Sequence, residues 1–355
     1  NTNIALKATR ATLTPLKLNS CSLNLALPIS IQIPIIPVKI IITAANTVSL
    51  ARAVVSGPPV SINDTINATS IMVMAKANND KKCIGVITWM HTFSPAKMWI
   101  HGLQILRKPL LHLHTQYNQQ IPYDTMDMDF MNLNQSAHGD REYAHILSRL
   151  RKPRKTVIGY WKDEKTQGHI AVWERVCAGW ADSQDMLILR FGDQMNNVAV
   201  TDGDKVAAEQ VLGYHVDYMP FSEVMPFFDA IKDEEVTALV KNTYFNDYQV
   251  DATIKDEKSE AYKKVWNAAK AELTLRAVMK AKGAKAFTTN FDDLGDVNVE
   301  ETGRGFDQIP GLASQRMMHD GFGFGAEGDW KSAALYRTVW FMSQGLEGGT
   351  SFLED

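Results

Sequence analysis

The first 63 residues contain no aspartate or glutamate, although the chain as a whole carries 40 acids. At the acid density of the remainder, such a gap arises about once in ten thousand draws from an ordinary globular composition. The first 88 residues also lack any aromatic residue and any histidine, and no tyrosine precedes Tyr117. These absences exclude an ordinary globular opening and leave two readings. One is a basic, acid-poor leader. The other is text foreign to an N-terminal domain, such as a shifted reading frame produces. Uninterrupted apolar runs are missing too. Residues 25–45 are broken by Pro28, Pro34, Pro37 and Lys39, which argues against a membrane helix or an export signal. Cysteine is scarce: Cys21, Cys83 and Cys177 are odd in number and far apart, which excludes a disulfide framework or a cysteine zinc site and suits a reducing cytoplasm. With a net charge of −3 there is no basic face, and the short 151–155 cluster reads as a solvated loop, so a nucleic-acid footprint is excluded.

What is present suits two α/β domains. A chain of 355 residues, 45% hydrophobic and 22% charged, can bury a large core. From Cys83 onward short apolar runs alternate with amphipathic ones. Strands are expected at 83–90, 109–115, 157–161 and 186–191. Ser94 and Pro95 predict a helix start running to about Leu106. Further helices are expected at 137–152 and 202–211, the latter ended by Gly213. The stripe Tyr262, Trp266, Ala269, Leu273 and Ala277 predicts another before Gly283. This alternation predicts a parallel sheet whose carboxyl ends gather polar residues, among them His91, Gln116 and the 134–138 loop.

Two carboxylates lie in short glycine-flanked turns, Glu327 in Gly-Phe-Gly-Ala-Glu-Gly-Asp-Trp and Glu354 in Gly-Gly-Thr-Ser-Phe-Leu-Glu-Asp. On composition alone they read as solvated acids on surface turns. If they are buried, each needs a cation, a donor or a proton-transfer partner. His112 and His114 share one face of an expected strand, with no third metal ligand near in sequence, and read as hydrogen-bonding residues. No histidine follows His319.

Long strings then narrow the reading. They are Gly85 to Trp99, Asp-Met-Asp-Phe-Met-Asn-Leu-Asn-Gln-Ser-Ala-His-Gly from Asp127 to Gly139, and Arg-Phe-Gly-Asp-Gln-Met from Arg190 to Met195. To these are added Val198 to Lys205, Ala286 to Phe291 and Gly323 to Trp330. Together they make residues 75–355 resemble the L-arabinose isomerase family. Residues 1 to about 70 do not match that family: its Gly-Ser-Gln and Leu-Tyr-Gly signature has no counterpart here.

The resemblance implies a Rossmann-like parallel-sheet N-terminal domain over 1–186, a second α/β central domain over 187–349, and at 350–355 the start of a third domain of about 150 residues. It implies an aldose–ketose isomerase that interconverts L-arabinose and L-ribulose by a metal-assisted ene-diol proton transfer. Glu327 and Glu354 are the implied acid–base pair and metal ligands, and Gln135, His138, Met195 and Phe291 the implied sugar-pocket lining. The implied ion is Mn2+, completed by two histidines of the third domain, so that this chain alone is expected to be inactive. The implied assembly is a cytoplasmic trimer pairing into a hexamer. In it the 127–139 loop, with Asp129, Phe130 and Asn134, suits a wet subunit boundary. Two alternatives stay open: a non-catalytic assembly or binding module, and isomerisation of another sugar such as D-galactose.

Overall fold

The computed structural model describes residues 40–43, 62–92, 95–295 and 303–352, with side chains from residue 70 onward. Backbone contacts divide the chain into two compact units, one within Lys17–Ala181 and one within Asp182–Asp355.

The first unit is a parallel sheet in the order β1 (Ile40–Thr43), β2 (Val86–Trp89), β3 (Leu110–His114), β4 (Lys155–Ile158). Ile40 pairs with Val86, Val86 with Leu110, and Leu111 with Lys155. Of the anomalous opening, residues 40–43 thus extend the sheet. The rest of residues 1–61, including most of the 25–45 run, lies outside the described residues. The helices are α1 (Ile62–Asn79), α2 (Ile100–Ile105), α3 (Met128–Leu133), α4 (Ser136–Arg149) and α5 (Glu164–Ser183). Parallel neighbours need such crossovers, because a tight hairpin cannot return the chain to the same end of the sheet. Met74, Val86, Trp99, Leu103, Leu110 and Leu147 form one buried cluster between the sheet and its helices.

Two sequence expectations shift here. The helix expected from Ser94 begins as a 3-10 turn at Ala96–Trp99 behind an extended Pro95, and Ser94 lies outside the described residues. The fourth strand starts earlier than expected, at Lys155, and stops at Ile158.

The second unit is built on β5 (Leu187–Phe191), β6 (His215–Met219), β7 (Ala286–Thr289) and β8 (Gly323–Gly325), again all parallel, in the spatial order β6-β5-β7-β8. Strands β5, β7 and β8 are buried on both faces, as strands covered on both sides require, whereas the edge strand β6 leaves Asp217 and Tyr218 exposed. Leu189, Phe191, Phe287 and Phe324 pack against α7 (Phe221–Ala230), α9 (Glu260–Lys282) and α10 (Gly311–His319). Ile188 and Ala286 point the other way, into a cluster with Ala208 of α6 (Lys205–Leu212) and Trp330 and Ala333 of α11 (Trp330–Ser343). Between α7 and α9 runs α8 (Asp233–Leu239), which continues into a π turn at Val240–Tyr244. Ser259 caps α9 by accepting from the Tyr262 amide, and Gly283 ends it in the left-handed conformation. Gly213 does the same for α6.

Helix α11 lies against β8 closely enough to exclude a side chain. A Cβ at Gly323 would come within 2.2 Å of the Ala333 carbonyl oxygen and 2.7 Å of the Ala286 Cβ. Exposed Gly168 in α5 has nothing within 4 Å of a Cβ built on it. In urea titrations, Gly323→Ala is expected to destabilise the protein by about 1–3 kcal/mol through overpacking. Gly168→Ala should instead stabilise it by up to about 1 kcal/mol through helix propensity.

Candidate functional site

The strand order of the second unit reverses between β5 and β7, and the chain leaves both strands at the same carboxyl edge. Ligands of open parallel sheets lie in the crevice outside such a reversal. Met195 sits in the loop after β5, Phe291 in the loop after β7, and Glu327 in the turn after β8. All three are half-buried, and Phe291 packs against the core beneath. Their loops are joined by named bonds. The Asn290 side-chain amide donates to the Asp193 carbonyl at 2.8 Å, while its oxygen accepts from the amides of Asp292 and Asp293. The Gly328 amide donates to the Thr289 carbonyl at 3.1 Å. A Cβ on Gly328 would meet the Gln194 Cα at 2.7 Å, so the Glu327 turn and the Met195 loop are in contact.

Below these loops lies Arg190, a charge in the apolar strand β5 and only 4% exposed. Its Nη2 pairs with Asp193 Oδ1 at 2.6 Å and approaches Gln194 Oε1 at 3.4 Å. Arg190 Nε and Thr289 Oγ1 are buried without a hydrogen-bond partner among the described residues. That leaves spare polar capacity at the base of the crevice. Burial also raises the carboxyl pKa of nearby Asp293 above its ordinary value.

Glu327 has a backbone φ of +58°, in the left-handed region that a residue with a Cβ enters at a cost. The turn is fixed from both sides. The Asp329 amide donates to the Ala326 carbonyl, and the Asp329 side chain accepts from Lys331 and Ser332 at the start of α11. Among the described residues, no hydrogen bond or ion pair engages the Glu327 carboxylate. Glu354, its expected partner, lies outside the described residues.

Gln135 and His138 belong to the first unit. Gln135 occupies the cap position of α4, its carbonyl accepting from the amides of His138 and Gly139 at 3.1 Å each. Gln135 is half-buried and His138 exposed one turn into the helix. The backbone just before them is pinned. Asn134 exchanges two hydrogen bonds with Asn118 and donates to the Phe130 carbonyl. His91 Nδ1 lies 2.9 Å from the Leu133 carbonyl. Burial lowers the His91 pKa, an effect the Leu133 bond opposes in part. Trp89, Tyr117 and Trp161 cluster around this edge, with Trp89 stacked on Tyr117 and tilted against His91 at 4.7 Å.

Sequence reasoning gave no individual role to Arg190 and Asn290, which hold the loops of the second unit, or to Asp140, which ties α4 to β3. Arg190 carried a signal, a charge inside Leu-Ile-Leu-Arg-Phe. Asn290 and Asp140 carried none, because their partners are distant in sequence. Asp140 also supplies the third group near His112 and His114 that the spacing did not reveal. Its two carboxylate oxygens meet His112 Nε2 and His114 Nδ1.

Residues 38–185 match the L-arabinose isomerase N-terminal domain, and residues 187–345 the L-arabinose isomerase central domain. The chain is 75% identical over 283 residues to an L-arabinose isomerase of Phocaeicola vulgatus, an alignment covering 80% of this chain and 55% of that protein. With an L-arabinose isomerase of Bacteroides thetaiotaomicron the identity is 74% over the same length and shares. With one of Flavobacterium johnsoniae it is 50% over 283 residues, 80% of this chain and 54% of that protein. The chain therefore spans about half the length of the relatives it matches. The strings around Gln135, Met195, Phe291 and Glu327, the parallel-sheet edges that carry them and these matches agree: the chain belongs to the L-arabinose isomerase family.

Proposed function

We propose that the whole protein interconverts L-arabinose and L-ribulose, with the second unit's sheet reversal as the core of its sugar site. One observation carries this reading: three loops from neighbouring strands are bound together at the reversal and present a strained, unpaired carboxylate at Glu327. Moving a proton between C1 and C2 of an aldose needs a group able to take and return it, and Glu327 is that group here. Glu354 is its proposed partner. Phe291 and Met195 give apolar walls to the sugar, while Gln135 and His138 offer hydrogen-bonding groups to its hydroxyls.

Glu327 also fits a divalent ion such as Mn2+, since its oxygens are committed to no other partner among the described residues. When bound, such an ion would polarise the sugar's carbonyl and hydroxyl oxygens. Glu327 and Glu354 would hold it. Imidazole ligands are proposed in the part of the family's length that this chain does not span.

The exposed side chains of Tyr123, Met128, Met131 and Leu133 support assembly, because an α3 with no buried residue is poorly explained as a free surface. We take the partner to be another copy, in trimers that pair into hexamers, its N-terminal domain bringing Gln135 and His138 to the neighbour's crevice. No helix among the described residues is long and apolar enough to cross a membrane. Cys83 and Cys177 are free thiols, which supports a reducing, cytoplasmic site of action. D-Galactose, which differs from L-arabinose by a hydroxymethyl group at C5, is the second sugar to test.

In a manganese-supplied assay of the full-length protein, Glu327→Gln should lower kcat on L-arabinose by about 10²–10⁴-fold. An unchanged kcat would remove Glu327 from the chemistry. This chain alone is expected to be an inactive oligomer by light scattering and the same assay; a monomer that turns over arabinose contradicts the assembly. The strain at Glu327 has its own readout. Glu327→Gly and Glu327→Ala both lose the carboxylate, but only glycine relieves the positive φ. The glycine variant should be the more stable by about 1 kcal/mol in chemical denaturation, and equal stabilities would mean that the turn is unstrained.

A further inference from the structure

A second cluster of ligand-type side chains lies in the first unit and shares no residue with the Glu327 crevice. His112 and His114 stand two apart on β3 and so face the same way, their rings 5.5 Å apart. Asp140, from the second turn of α4, comes between them. Its Oδ1 meets His112 Nε2 and its Oδ2 meets His114 Nδ1. One ligand atom from each of the three residues falls within 4.8 Å of the others. Tyr143 closes the inner side with its ring 5.3 Å from His112.

We propose that His112, His114 and Asp140 form a binding site for a divalent transition ion of the zinc class. The first argument is charge. Asp140 is fully buried, and among the described residues no lysine or arginine pairs with it, only the two imidazoles. A buried carboxylate is costly unless a cation offsets it. A protonated imidazole or a bound ion meets that need, and the ion uses all three groups at once.

The second argument is the donor set. Two imidazoles and one carboxylate match the donor set of the tetrahedral zinc class, in which water supplies the fourth ligand. They do not match Mg2+ or Ca2+, which take six or more oxygens. The third argument is access. The His114 side chain is 37% exposed, whereas those of His112 and Asp140 are 2% and 0% exposed. One side therefore opens to solvent while the remainder is fixed by packing.

Hydrogen bonding and ion binding compete for the same atoms. In the hydrogen-bonded form His112 carries its proton on Nε2 and His114 on Nδ1, each donated to Asp140. In the ion-bound form each neutral ring carries its proton on the opposite nitrogen. Rotation of the side chains then opens the nitrogen–oxygen pairs to roughly 3.3 Å, the edge of a tetrahedron with ligand distances of about 2.0–2.1 Å. The bound ion would tie the carboxyl end of β3 to α4, the helix that begins beside Gln135.

Cobalt(II) is the probe, because its visible bands report coordination number. It is titrated into a Glu327→Gln/Glu354→Gln variant, in which the proposed sugar-site carboxylates are gone. One equivalent with the intense bands of a four-coordinate ion is expected. His114→Ala should weaken that binding by more than the about 10–100-fold that an outer-shell partner controls. His145→Ala, on the exposed side of α4, should leave it unchanged. If His114→Ala fails to fold by circular dichroism, His114→Gln, which keeps a polar side chain, replaces it. The proposal is overturned if the double carboxylate variant binds no Co2+, or if either His114 variant binds it as tightly as its parent. Activity is not the readout, so this result stands apart from that of the isomerase assay.

Discussion

Parallel strand pairing is the constraint on which everything else in this chain depends. In both units every described strand runs the same way as its neighbours. Each strand must therefore be followed by a crossover, and every loop that leaves a strand leaves at one edge. Helices cover both faces of the inner strands of the second sheet, so most polar groups gather at that edge, with Arg190 of β5 just below it. The order β6-β5-β7-β8 adds one further restriction. Where the order reverses, consecutive crossovers pack on opposite faces, and a crevice opens between the loops after β5 and β7. Met195 and Phe291 occupy those two loops for this topological reason.

Burial holds the helices of that unit in place, and one carboxylate aligns them. Glu272 of α9 is almost fully buried and accepts from Arg276 at 2.8 Å, from Arg316 of α10 at 3.1 Å and from the Tyr244 hydroxyl at 2.5 Å. Arg316 continues to Asp247 and Tyr248. Burial and the Glu272 charge both push the Tyr244 phenol well above its ordinary pKa, so it stays a donor. Such a network adds less net stability than apolar packing of the same volume, but removing one member leaves the others buried and unpaired. Its effect is to select one mutual arrangement of α9, α10 and the π turn. The same helices back the core beneath Phe291.

Much of this was legible in the sequence. Glycine after an amphipathic stretch marked the ends of α6 and α9, and the stripe from Tyr262 to Ala277 announced α9 itself, although the residues it packs into the sheet core are Ala271, Leu275, Val278 and Met279. The alternation of strand and helix gave parallel sheets. Long verbatim strings gave the family, and with it Glu327, Met195 and Phe291. What was not legible depends on distance along the chain. Asp140 follows His112 by 28 residues, and only the return of α4 over β3 brings them together. Asn290 reaches Asp193 across 97 residues. The letters Gly-Ala-Glu-Gly announced a turn, but not that the glutamate itself would take the left-handed conformation. That follows from the hydrogen bonds of Gly328 and Asp329, which fix the chain on either side of it.

Three carboxylates in the described chain show how a protein decides which acid is available for chemistry. Glu272 has both oxygens occupied by guanidinium and phenol donors, so an external ligand would have to break a network to reach it. Asp140 has both oxygens occupied by imidazoles, a weaker commitment, because those rings can exchange their protons between nitrogens. Glu327 is half-buried, has no partner among the described residues, and sits on a turn whose backbone conformation a glycine would adopt at less cost. Stability alone favours occupied oxygens and a glycine at that turn. Glu327 departs from both preferences, and strain of this kind persists where the surrounding structure over-determines it. Here the surrounding structure is the contact of Gly328 with Gln194 and the capping of α11 by Asp329. Those contacts hold the carboxylate at the sheet edge, with its oxygens engaged by no partner among the described residues.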